Sequence, residues 1–237
     1  MYNLLKVELY KLEKFIFGYV AIFLIFVAGY IFGDNRIGNR VFEMADNTDL
    51  VFSYVICDTS FVFFISIIMA VFIGKDFSNR TICHEIKLGY SRVQILLSRM
   101  LVVCAFATLL HVVYVLSAVF GFSVVRGFDT SVLCVRNALW LLIVLIQLVA
   151  VISGVVLLSF LAKRLSEAIV LSTMYSFVCC NVLRNFFMSS KIFTLSCFCF
   201  VQSSTTENLA YAAISALVTM FIFLTIAIFS FSKAEVK

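Results

Sequence analysis

Six long runs of apolar residues follow one another along this 237-residue chain, separated by short polar gaps. The runs cover residues 15–32, 51–73, 95–125, 138–161, 168–187 and 209–231. Each is long enough for an α-helix that crosses the hydrocarbon core of a membrane, which takes roughly 17–25 apolar residues. The pattern predicts an all-α membrane protein with six transmembrane helices in a single domain, residues 1–237. The third run exceeds one crossing, which indicates an interfacial start or a strong tilt.

Composition excludes a water-soluble fold, since 63% of the residues are hydrophobic and only 13% are charged. Soluble domains carry about 25% charged residues. The net charge of +5 does not indicate nucleic-acid binding, because the Lys and Arg residues lie in the short gaps between apolar runs. In such gaps basic residues set the orientation of membrane helices. We therefore expect the lipid bilayer, and no nucleic acid, as the surrounding partner.

The distribution of basic residues predicts which side of the membrane each gap faces. One set of gaps, with both termini, holds twelve of them: Lys6, Lys11, Lys14, Lys75, Arg80, Lys87, Arg92, Arg99, Lys163, Arg164, Lys233 and Lys237. The other set holds six: Arg36, Arg40, Arg126, Arg136, Arg184 and Lys191. Because the more basic side faces the cytoplasm, both termini are predicted to be cytoplasmic.

The N-terminal segment, residues 1–14, has apolar side chains at helical spacing and lysines mostly off that stripe. The stripe consists of Tyr2, Leu5, Leu9 and Leu12. This pattern predicts a helix that lies in the membrane interface, with its leucines in lipid and its lysines toward anionic headgroups. The alternative is a simple orientation signal.

The longest polar stretch on the predicted inner side is residues 75–94. Gly89 is predicted to end a short helix that starts near residue 78, and Ser91 to cap the helix that follows. Two helices meeting at a turn would suit docking of a soluble partner. A solvated loop is the alternative interpretation.

Polar residues within apolar runs are candidates for function. They are Asp58, Asn181, Arg184 and Asn185. An ion pair between Asp58 and Arg184 is possible, or Arg184 extends to the interface and Asp58 lies in it. His111 and Gln147 are expected to satisfy neighbouring backbone or hydroxyl groups.

The outer segment, residues 188–208, is too apolar for a free loop and is predicted to be re-entrant or interfacial. Its Cys197 and Cys199 do not establish a disulfide, and no Cys/His spacing indicates a metal site. No H-E-x-x-H, G-x-S-x-G or phosphate-binding G-x-x-x-x-G-K-[ST] motif occurs in the sequence. We therefore expect no catalytic residues, and an intramembrane enzyme is disfavoured.

Two patches of the sequence resemble the permease subunits of type-2 ATP-binding-cassette exporters. The first is residues 4–12, where Glu8 and Lys11 match the Glu and Lys of the family's interfacial helix. The second runs from Asp76 and Phe77 through Thr81 and the Gly89-Tyr90-Ser91-Arg92 turn to Ile95-Leu96-Leu97-Ser98-Arg99, where the family has a Lys or Arg entering the third span. The likeness is to small six-span permeases of lantibiotic or bacitracin immunity and export. Arg80 stands where that family often has Gly, and Tyr90 near where many members have Pro.

The resemblance implies that residues 75–94 contain a coupling helix, which docks on a separate ATPase subunit that binds ATP and Mg. The coupling residues would be Asp76, Phe77, Thr81, Gly89, Tyr90, Ser91 and Arg92. It also implies a second permease chain, identical or different, and a bacterial plasma membrane. The expected function is export of a peptide-like or amphipathic substrate. A membrane scaffold or sensor, or a carrier not driven by ATP, is the alternative.

Overall fold

The computed structural model describes residues 2–34, 48–79, 81–162, 164–182, 200 and 206–233. All regular secondary structure in these residues is helical. The α-helices are α1 Tyr2–Glu13, α2 Ile16–Gly33, α3 Thr48–Ile56, α4 Ser60–Ser78, α5 Thr81–Lys87, α6 Arg92–Arg126, α7 Val135–Ala162, α8 Leu165–Phe177 and α9 Thr206–Lys233. A 3-10 turn, Thr130–Leu133, precedes α7, and a π-helix, Val178–Val182, continues α8.

Five of the described helices, α2, α4, α6, α7 and α9, are long and apolar enough to cross a membrane. The chain is therefore a helical, multi-pass membrane protein. The predicted fifth run, residues 168–187, begins in α8, which has only thirteen residues. The run passes out of the described residues after Val182. The sixth crossing and the orientation of the termini stay predictions.

The second apolar run is not one helix, as the sequence pattern predicted, but two. Helix α3 ends at Ile56 and α4 begins at Ser60. Between them the carboxylate of Asp58 accepts a hydrogen bond from the backbone N–H of Ser60, at 2.9 Å. Asp side chains compete in this way with helical backbone bonds, so they favour helix ends over helix interiors. The break follows from this local competition.

Helix α6 is one continuous helix of 35 residues that packs against most of the other described helices. At 1.5 Å per residue it is about 52 Å long, well above the roughly 30 Å of a hydrocarbon core. Its apolar positions, from Ile95 to Phe122, are mostly buried. The helix therefore forms the core of the bundle, and its first turns extend to the end where α1 and α5 lie.

Small residues bring α2 and α6 into close contact. Gly29 and Gly33 are four residues apart on α2 and lie against Ser117 and Ala118 of α6, while Gly121 of α6 lies against Tyr30 of α2. A Cβ atom at Gly33 would overlap the carbonyl oxygen of Ala118, and one at Gly121 would overlap a carbonyl oxygen of α2. Such small-xxx-small pairs let helix backbones approach in membranes, where dispersion contacts drive association.

We predict that Gly33→Ala destabilises the protein by about 2–3 kcal/mol, because the added methyl group meets rigid backbone and forces the two helices apart. This loss exceeds the gain in helix propensity, which is about 1 kcal/mol at most. The measurement is denaturant unfolding in detergent. Ala28→Val, at an exposed position on the same helix, is the control and should change stability little. An unchanged or increased stability of Gly33→Ala would contradict the packing.

Candidate functional site

Five charged side chains meet inside one end of the bundle, and we call them the charge cluster. They are Glu8 and Lys11 from α1, Asp76 from α4, Glu85 from α5 and Arg99 from α6. The side chains of Glu8 and Arg99 are 0% exposed, and that of Lys11 is 22% exposed. We call this end of the molecule the charged end.

Arg99 is the centre of the charge cluster. Its Nη2 donates to both carboxylate oxygens of Glu85, at 2.9 and 3.1 Å, and its Nε donates to Glu8 Oε1 at 3.3 Å. The fork geometry of a guanidinium suits two-point binding of a carboxylate. One side chain of α6 therefore holds α1 and α5 together.

Lys11 completes the bridge between α1 and α5. Its Nζ donates to Glu8 Oε1 and to Glu85 Oε1, each at 2.8 Å, and lies 3.6 Å from Asp76 Oδ1. Burial alone would lower the pKa of Lys11. Attraction to Asp76 and Glu8 outweighs burial and the repulsion from Arg99, so the pKa is raised. Lys11 therefore remains protonated across the physiological pH range.

The charge cluster contains three carboxylates and two cations, so its described residues carry one negative charge in excess. Asp76 Oδ2 lies 3.1 Å from Arg99 Nη2 but lacks hydrogen-bond geometry. Glu8 Oε2 and Arg99 Nη1 also make no hydrogen bond within the described part of the chain. Burying charge is costly unless it is paired. The helices at this end are therefore interdependent, since removing one partner exposes the others to that cost.

The turn between α5 and α6 is fixed by backbone hydrogen bonds. Gly89 has φ +89°, and the N–H groups of Gly89 and Tyr90 donate to the carbonyls of Ile86 and Glu85. This is a Schellman arrangement, in which a residue in the left-handed region ends a helix. The prediction that Gly89 ends the short helix is confirmed. Its predicted start near residue 78 is wrong, because α4 continues to Ser78 and α5 begins at Thr81.

Helix α6 begins with a reciprocal cap. Ser91 Oγ accepts from the N–H of Gln94, and the Gln94 side chain accepts from the N–H of Ser91. The prediction that Ser91 caps this helix is therefore confirmed. Together, the cap and the Schellman turn leave the chain little freedom between α5 and α6.

The surface of this turn is partly apolar. Leu88 is 76% exposed and Val93 is 37% exposed. Lys87, Gly89 and Ser91 are also exposed. We call these five residues the turn surface.

Not all of the predicted coupling residues lie on the turn surface. Asp76 belongs to the charge cluster, and Phe77 packs edge-on against Phe160 at 5.4 Å. Arg92 faces the end of α9, where its Nη1 donates to the carbonyls of Phe231 and Ser232 at 3.2 and 2.9 Å.

Thr81 and Tyr90 are half-buried. Gly89 and Ser91 remain accessible to a partner.

The sequence analysis selected Glu8, Lys11 and Asp76 but assigned them to two separate segments. The structure brings these three together with Glu85, which the analysis did not select, and with Arg99, which it placed at the start of the third run but did not pair with a carboxylate. The signal for Arg99 was present, because it follows three apolar residues and a serine at the start of a long apolar run. An arginine in such a run needs a carboxylate partner.

The intramembrane candidates have mixed outcomes. Asp58 accepts a hydrogen bond from Tyr114 Oη at 2.9 Å. Arg184, Asn185 and the side chain of Asn181 lie outside the described residues, so the Asp58 to Arg184 pair stays a prediction. His111 is fully buried beside the backbone of Ile56, at the end of α3. The expectation that it satisfies a neighbouring backbone group stays a prediction.

The predicted outer segment, residues 188–208, is described only at Phe200 and from residue 206 onward. Phe200 is buried and packs edge-on against His111. Cys197 and Cys199 lie outside the described residues. Within the described ranges, no group of three or more His, Cys, Asp or Glu side chains could hold a metal ion.

Comparison of the chain with protein families, with curated proteins and with solved structures finds no match.

We predict that Arg99→Gln destabilises the protein by about 3–5 kcal/mol, because it leaves buried carboxylates without their cation. Unfolding in detergent measures the change. Arg164→Gln is the matched control, since Arg164 forms an ion pair with Glu167 at 3.5 Å but is 79% exposed. The control should cost less than about 1 kcal/mol. Equal losses for the two variants would show that the charge cluster is not buried as described.

We predict that Asp76→Asn costs at most about 1 kcal/mol, because it removes the excess negative charge and keeps the side-chain volume. Glu85→Gln should cost several times more, since it breaks the two-point contact with Arg99. The two unfolding free energies, measured under the same conditions, test the charge count. A larger loss for Asp76→Asn than for Glu85→Gln would overturn it.

Proposed function

We propose that this chain is the membrane-spanning subunit of an ATP-binding-cassette exporter, which couples ATP hydrolysis by a separate ATPase subunit to export of a peptide-like or amphipathic substrate. One observation carries the proposal. The turn surface presents an exposed leucine on a rigid turn, and that turn is joined to four helices of the bundle through the charge cluster. This arrangement suits a docking point that passes force into the membrane helices.

A docked partner can move the membrane helices through this turn only if the turn itself does not deform. Arg99 is the eighth residue of α6, and its contacts tie the second turn of that helix to α1 and α5. A displacement of the turn surface would therefore move α5 and α6 together. It would also move α1, through Glu8 and Lys11, rather than bend a loop.

Arg92 has a positioning role in this proposal rather than a contact with the ATPase. Its guanidinium binds the last carbonyls of α9, where a cation is favoured by the helix dipole. Arg92 therefore links movement of the turn to α9. The residues left for direct docking are those of the turn surface, with Leu88 at its centre.

ATP and Mg would bind to the partner ATPase, because this sequence contains no phosphate-binding loop. The complete exporter would contain a second permease chain, identical or different, within a bacterial plasma membrane. The charged end would then face the cytoplasm, as the distribution of Lys and Arg predicts. Immunity to a peptide antibiotic is one purpose that such an exporter serves.

We predict that Leu88→Glu abolishes recovery of the ATPase subunit, because a charge replaces the apolar centre of the docking surface. The measurement is affinity purification of the tagged chain from its native cell in mild detergent, followed by identification of partners by mass. Glu167→Gln is the control at another exposed position. The control should retain the partner.

Two results would contradict this proposal. Recovery of the tagged chain without any ATPase, under conditions that preserve membrane complexes, would favour a scaffold, a sensor or a carrier not driven by ATP. Unchanged recovery of the ATPase with Leu88→Glu would place the docking surface elsewhere. Denaturant unfolding of Leu88→Glu checks that the exposed substitution leaves the fold intact.

A further inference from the structure

The break between α3 and α4 lies against α6. Asp58, at the break, contacts Tyr114, which is twelve residues from the Arg126 end of α6. At 1.5 Å per residue, Tyr114 lies about 18 Å along α6 from that end. Irregular backbone is tolerated at membrane depth where it is buried in protein or lines a cavity. The break at Asp58 lines a cavity.

Within the described residues, the Asp58 carboxylate accepts hydrogen bonds only from neutral donors. Oδ1 accepts from the N–H of Ser60, and Oδ2 accepts from Tyr114 Oη, each at 2.9 Å. Tyr114 is held in place by stacking on Phe61, with ring centroids 3.9 Å apart. No Lys or Arg of the described residues forms an ion pair with Asp58. The start of α4 offsets about half a charge, so the described groups around Asp58 keep a net negative charge.

The cavity beside Asp58 has a volume of about 550 Å³. Its walls include the aromatic rings of Phe32, Tyr54 and Trp140, together with the Asp58 carboxylate. Ligand sites usually measure about 300–1,000 Å³ and combine apolar walls with a few polar groups. Aromatic rings next to a carboxylate bind organic cations, since the ring faces attract positive charge. The carbonyl end of α3, which points into the break, adds to this preference.

We propose that this cavity binds the ammonium or guanidinium group of an amphipathic organic cation. The charge would pair with Asp58, and the apolar part of the molecule would lie against Tyr54 and Trp140. A bare alkali ion would leave most of the cavity unused. The proposal does not depend on the exporter function, because binding requires neither ATP nor a partner subunit.

The chain provides its own probe for this site, because Trp140 is its one tryptophan. The experiment titrates the purified protein in lipid nanodiscs with 1-aminoadamantane, a compact apolar primary amine, and follows tryptophan fluorescence and binding heat together. We expect a saturable signal in both measurements. The uncharged analogue 1-adamantanol should bind about tenfold or more weakly, because it lacks the charge-assisted contact.

Asp58→Asn separates ligand binding from helix capping. The amide oxygen still accepts the N–H of Ser60, so the cap is kept while the charge is lost. We expect this variant to bind 1-aminoadamantane about tenfold or more weakly.

Tyr54→Leu, at an exposed position, should weaken binding about threefold through loss of a ring face. It also provides a test if Asp58→Asn fails to fold. Glu167→Gln, outside the cavity, should bind as the natural chain does.

Three results would overturn the proposal. The first is no saturable fluorescence change and no binding heat with the amine. The second is equal affinity of the natural chain for the amine and the alcohol, or of the natural chain and the folded variants for the amine. The third is a saturable response to sodium chloride alone that is lost in Asp58→Asn, which would make the cavity an alkali-ion site.

Discussion

The fully buried guanidinium of Arg99 is the constraint on which the charged end of the molecule depends. A cation removed from water must be surrounded by carboxylates, or the structure bears a cost of several kcal/mol. The carboxylates come from three other helices, namely α1, α4 and α5. These helices must therefore converge on the second turn of α6. Their convergence in turn determines where the turn between α5 and α6 is placed.

Buried ion pairs are weak evidence for stability, and well-packed apolar residues are often as stable or more so. The charge cluster is therefore better understood as a device that specifies one arrangement. The packing of α2 on α6 relies instead on close backbone contact between small residues. The two ends of α6 are thus held by different forces.

Local features of this fold could be predicted from the sequence, and contacts between distant segments could not. Gly89 and Ser91 act within a few residues, so turn and cap chemistry identified both. The contact between Glu8 and Arg99 joins residues 91 positions apart. The hydrophobic periodicity of the sequence does not indicate contacts over such a separation. Asp58 was recognised as an intramembrane polar residue. The break that it causes was missed because the apolar run on both sides suggested a continuous helix.

Two negative charges without a full cation partner lie at different depths of the described bundle, and their surroundings differ. The excess charge at the charged end is shared among three carboxylates that two cations already bind, so it is spread over a closed network. Among the described residues, Asp58 has only neutral donors, and it borders a cavity with aromatic walls. A ligand could reach that carboxylate without breaking an existing ion pair. Of the two sites, only the one at Asp58 therefore combines a cavity that can hold a cation with a carboxylate whose charge is not balanced by a described cation.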